Sequence, residues 1–284
     1  MVNWQPDRMR TLPSFIKNME TKFDRPPPYN KLLDLWYDEI VARNYSRRSL
    51  TYGTDKLPAI PGIARAIGGT WTAKYYCGIW DIGFAEAIFF MRNIGTMAAP
   101  RPKDQEYRCP SWSWAPHDFP VVWPRGIVQK NTTELISLTG GAIRPSLGSD
   151  HYGQLRAGYV SASAQIWPLR LKRHKPDQYG RTIPTWLVNR ADAPVGWCYM
   201  DYDEPELLEV TALLCTVCTG NEGYAGLVLL LRKSERFEGA YERAGSGTVG
   251  VNAPGTFQMA GIREVAAQWL YAIVRIPPVH VLLV

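Results

Sequence analysis

The chain has 284 residues, 46% apolar and 20% charged, with a formal net charge of +6. Those proportions fit a globular chain of one large domain or two small ones, and exclude a disordered or low-complexity chain. The cations are scattered, with short clusters at 43–48 and 170–175 and no recognisable nucleic-acid module, so nucleic acid is not an expected partner.

Residues 1–29 carry Pro13 and Pro26-Pro27-Pro28 and read as an extended lead-in without the apolar core of a leader peptide. Residues 30–284 read as a single domain, mainly helical over 30–100 and mainly β over 101–284. The first helix is expected over 29–44, with Asn30 as its cap and Leu32, Leu33, Trp36, Ile40 and Val41 at helical spacing. A second is expected over 54–68, capped by Thr54, kinked at Pro61 and ended by Gly68, and a third over 84–93.

After residue 100 short Val-, Ile-, Leu- and Tyr-rich runs alternate with Gly, Pro and Asn. Strands are expected at 126–129, 135–140, 155–171, 196–201, 208–220, 224–233 and 268–276, with a last buried strand at 279–284. The expected fold class is α+β, an N-terminal helical part packed on a C-terminal, mostly antiparallel β region. No run approaches the ~20 apolar residues of a membrane helix, so no membrane span is expected. Five cysteines, an odd number, point to a reduced compartment, and the expected localisation is cytoplasmic. Cys215 and Cys218 form a CxxC inside an apolar strand, without the further ligands of a zinc site or the helix start of a redox pair.

The stretch YRCPSWSWAPHDFP, 107–120, is the most distinctive. In an extended chain its alternation sends Trp112 and Trp114 to one face and Ser111 and Ser113 to the other. Packing accounts for two large indoles; an aromatic-walled pocket is the competing account. His117 and Asp118 follow, and a histidine moves protons near neutrality. A Ser–His–Asp triad is disfavoured, because Ser111 lies outside any GxSxG elbow and adjacent His117 and Asp118 do not readily pair. In YYCGIWDIGFAEAIFF, 75–90, Asp81 reads as a helix cap, or as a proton-transfer group if buried beside Trp80 and Tyr76. The acids at 201–206 read as a solvated turn, the other histidines show no metal-ligand spacing, and no cofactor or metal site is expected.

Four segments in order carry a family signal: 35–64 with LTYGTDKLPAIPGIA, 75–90 with YCGIW, 101–123 with YRCPSWSWAPHD, and 224–247 with GLVLLLRK. Together they resemble the region downstream of the HET domain in fungal heterokaryon-incompatibility proteins, over about residues 30–275. PSWSWA is the most specific element. The chain departs from that pattern at His117 and Asp118, and at Phe90, where tryptophan is common. The N-terminal effector domain of the family is expected to be missing from this chain.

The resemblance implies a recognition or regulatory module that works through a protein partner supplying the effector. The alternative is a cofactor-independent enzyme of fungal secondary metabolism, a cyclase, isomerase or dehydratase acting on an apolar small molecule. Its catalytic candidates are Asp81 and His117. Trp80, Tyr107, Ser111, Trp112, Ser113, Trp114 and Asp118 form the expected binding wall.

Overall fold

The computed structural model describes residues 31, 33–48, 50, 53–71, 73–93, 98–102, 107–124, 132–146, 148, 150–173, 185–220, 223–250 and 260–284. The lead-in, the Asn30 cap, the 126–129 strand and His174 lie outside them. No helix among the described residues is long and apolar enough to cross a membrane.

The first helix, Asp34–Tyr45, is wound in the wide π pattern, and the Ser46 N–H returns to the Val41 carbonyl five residues back. Trp36, Ile40 and Val41 are buried as their spacing predicts, and Tyr37 and Tyr45 are buried beside them. A single tight turn, Gly53–Asp55, precedes α1 (Pro61–Thr70). Pro61 therefore starts a helix instead of kinking one, because its missing N–H costs nothing in the first turn. Helix α2 (Phe84–Ile88) is half the expected length, since Met91–Arg92 leaves to pair with Val121–Val122 as the small sheet β3–β4. Tyr75–Tyr76 and Ile79–Trp80 form the hairpin β1–β2.

The remaining strands are β5 (Thr132–Glu134), β6 (Ser137–Pro145), β7 (Leu155–Ala164), β8 (Ile166–Lys172), β9 (Thr185–Val188), β10 (Pro194–Met200), β11 (Glu209–Gly220), β12 (Gly223–Lys233), β13 (Ala240–Gly250) and β14 (Val279–Leu283). In space their order runs β10-β9-β8-β11-β12-β13-β14-β7-β6, and a further β10–β13 pairing closes the first six into a ring. The fold class thus corrects the expectation: the molecule is mostly β, 42% strand against 20% helix, with a closed six-stranded barrel. The principal neighbour of the first helix is β4, not the barrel.

Sequence patterning explains why the barrel forms. Val210, Ala212 and Leu214 on β11 and Val228 and Leu230 on β12 point into the lumen. Their neighbours Leu213, Cys215, Leu227, Leu229 and Leu231 point outward into a second core with Trp36, Trp80 and Trp112. Strands buried on both faces read as continuous apolar runs, as these do. The 268–276 segment, expected as a strand, belongs to α3 (Ala260–Val274), whose Ala266, Leu270 and Ile273 repeat at helical spacing and are buried.

Candidate functional site

The PSWSWA segment is a succession of turns, not the extended strand the alternation suggested: the Ser113 N–H bonds the Pro110 carbonyl and the His117 N–H the Trp114 carbonyl. Both indoles have no exposed surface. Trp114 donates from Nε1 to the Gly78 carbonyl at 3.0 Å, and Trp36 donates to the same oxygen at 2.8 Å. Gly78 has φ +91, and a Cβ there would lie 2.5 Å from Trp114 Nε1, so glycine alone admits the ring. Ser113 donates to the Cys77 carbonyl and accepts from the Ala115 N–H. Ser111 donates to the Val284 main-chain oxygen at 2.5 Å and accepts from the Arg243 N–H at 2.9 Å. Trp112 is equally buried, with no partner for its N–H.

His117 sits in the interior. Its Nδ1 lies 3.3 Å from the Tyr202 hydroxyl, and its ring stacks on Phe119 at 4.7 Å. Its Nε2 is 3.9 Å from Asp201 Oδ2, beyond hydrogen-bond reach. Burial outweighs the nearby Asp201 carboxylate and pulls its pKa down to about 4, so the ring is neutral near pH 7. Lys56 donates from Nζ to the His117 carbonyl, and burial likewise lowers its pKa to about 8.

Asp201 and Arg243 complete the cluster. Arg243 grips Asp201 through Nε at 2.7 Å and Nη2 at 3.1 Å, and donates from Nη1 to the Ile88 carbonyl and from Nη2 to the Phe90 carbonyl. Its guanidinium lies 3.5 Å from the centre of the Phe90 ring. Burial pushes the Asp201 pKa up, but Arg243, then His117, more than reverse this and hold it below the ordinary value. One guanidinium therefore joins β13, the end of β10 and the segment after α2, with His117 resting against the same Phe90.

The other candidates lie elsewhere. Asp81 does not cap α2, whose start is Gly83 with no side-chain cap; it accepts from the Lys74 N–H at 2.9 Å and closes the β1–β2 hairpin at the surface. Trp80 is fully buried and packs edge-on against Trp36 and Tyr75. Tyr107 is half-buried. Asp118 is exposed and pairs with Arg108 at 2.5 Å. His117, Ser111, Trp112, Ser113 and Trp114 are thus drawn into one interior, while Asp81 and Asp118 are engaged at its outside.

The acids at 201–206 are not a simple solvated turn: Asp201 and Glu204 are buried, and Glu204 accepts from Arg232 at 2.9 Å. All five cysteines are free, and no group of three His, Cys, Asp or Glu side chains among the described residues is placed to hold a metal. Arg243 and Asp201 escaped the sequence reading because they are 42 residues apart and meet only across the barrel's closing seam. Comparison with protein-family models, curated proteins and solved structures finds no match for this chain.

Proposed function

We propose that the chain is a recognition or regulatory module of the kind the heterokaryon-incompatibility resemblance implies, acting through a protein partner that supplies the effector. The observation that carries this reading is the distribution of exposed apolar side chains. Of the eight large ones exposed among the described residues, five fall between 265 and 282: Val265, Tyr271, Ile276, Val279 and Leu282. Exposed apolar side chains on the last helix and strand offer a protein partner apolar surface to bury. The most family-like motif supports the reading from inside, because its tryptophans and Ser113 are consumed in holding the fold.

The test is affinity capture from the source cells with the wild-type chain and with the Tyr271→Asp, Ile276→Asp double variant. The expected result is a partner carrying an effector domain, captured by the wild type and lost from a variant that melts at the same temperature. Equal capture by both proteins counts against the surface. The enzyme reading keeps one point in its favour, the buried His117 ring set beside Asp201 and the Tyr202 hydroxyl. Deleting the gene and finding a vanished metabolite with an accumulated precursor would replace the partner reading with it.

A further inference from the structure

We propose that β14 is a releasable strap that fastens the Ser111 end of the PSWSWA turn to the barrel, so that its detachment loosens that end of the turn and the β7 edge together while Trp112 and Trp114 keep the turn anchored. In the strand order β14 stands between β13 of the barrel and β7. Its pairing with β13 is parallel and two residues long, Ala240 with Leu282 and Tyr241 with Leu283. Its pairing with β7 is antiparallel over five residues, from Val279–Ala164 to Leu283–Val160. Within the strap only Val281 and Leu283 are buried; Val279, His280 and Leu282 are exposed.

The fastening point is Ser111. The residue after the strap, Val284, donates its N–H to the Tyr241 carbonyl at 2.9 Å. Its main-chain oxygen receives both the Ser111 N–H, at 3.2 Å, and the Ser111 hydroxyl, at 2.5 Å. The same hydroxyl accepts from the Arg243 N–H. One serine therefore ties together the turn, the strap and a barrel strand.

The strap also has a place to bend. Ile276, Pro277 and Pro278 are exposed ahead of it, and the two prolines have no N–H to give a neighbouring ladder. The preceding helix stays anchored through Ala266, Leu270 and Ile273. Releasing the strap gives up two buried side chains, the two-residue pairing with β13 and the five-residue pairing with β7, but none of the barrel's own ladders, so this opening belongs to the low-stability end of the molecule. The strap exists whatever partner the chain meets.

Hydrogen exchange followed by mass spectrometry on the full chain tests this, comparing wild type with Leu283→Ala and Ser111→Ala. Leu283→Ala is expected to speed exchange by about tenfold in 279–284, 155–164 and 107–118 together, while β10, β12 and β13 keep their protection. Ser111→Ala, which leaves the core intact, is expected to speed only 107–118 and 279–284. The proposal is overturned if 279–284 loosens without 107–118, if neither changes, or if the barrel strands accelerate by the same factor. The last result means the strap opens only with global unfolding.

Discussion

A guanidinium with no exposed surface is tolerated only because its charge and hydrogen bonds are answered, and at Arg243 most of the answer is Asp201. Asp201→Ala leaves that cation buried and uncompensated. The expected cost is about 3–5 kcal/mol, read as a lower urea midpoint. His117, in the same cluster, gives stability a pH dependence. Its folded pKa of about 4 lies below the ordinary 6.5, so between those values the unfolded chain binds more protons. The stabilisation is therefore full above 6.5 and is lost as pH falls towards 4, by on the order of 3 kcal/mol at most. His117→Phe keeps an aromatic ring among Phe90 and Phe119 and removes the titration; urea midpoints at pH 7 and pH 5 should then converge. A variant that keeps the wild-type slope assigns it to another group. Residue type favoured packing for Trp112 and Trp114 but left them equally readable as a binding wall, and their full burial is what places them in the core. The burial of His117 was not legible, because the groups that enclose it come from positions 56, 90, 201 and 243.

The barrel closes where β10 meets β13, and that seam carries Gly196, Gly245 and Gly247. A Cβ on Gly247 would lie 2.6 Å from the Trp197 carbonyl oxygen, and one on Gly245 the same distance from the Tyr199 carbonyl oxygen. Backbone cannot give way as a flexible side chain does, so Gly247→Ala is expected to cost about 1–3 kcal/mol through overpacking. Gly62→Ala, in α1 with nothing within 4 Å, is the control and should be neutral or slightly stabilising. Thermal melts of both variants check this, and equal melting temperatures would mean the seam has slack. The seam glycines also show why β13 went unseen in the sequence: AYERAGSGTVG, rich in small residues, lacks the bulky alternation that betrays a strand. The apolar runs of β11 and β12 were legible because they are buried on both faces, whereas α3 was misread because a short apolar run alone does not separate helix from strand.

At the scale of the whole molecule the barrel wall belongs to two cores at once. Alternate residues of β11 and β12 face the lumen, where Leu270 and Ile273 of α3 also pack, and the residues between them face the tryptophan-rich shell. Helices that come first in a sequence suggest a helical layer on a sheet; here the first helix packs chiefly on β4, only the short α2 meets β11 from outside, and the number of strands in the ring outweighs them. Because the same strands line both cores, neither core keeps its lining if the other is lost, and the two are expected to melt as a unit. The check is to weaken each side separately. Leu270→Ala acts inside and Leu229→Ala acts outside; each is expected to cost about 2–5 kcal/mol. In both variants tryptophan fluorescence, dominated by the shell, and far-ultraviolet dichroism, dominated by the strands, should give one coincident transition. If Leu270→Ala instead splits the curves, with dichroism falling while fluorescence holds, the shell folds without the barrel, and the shared wall does not couple the two cores.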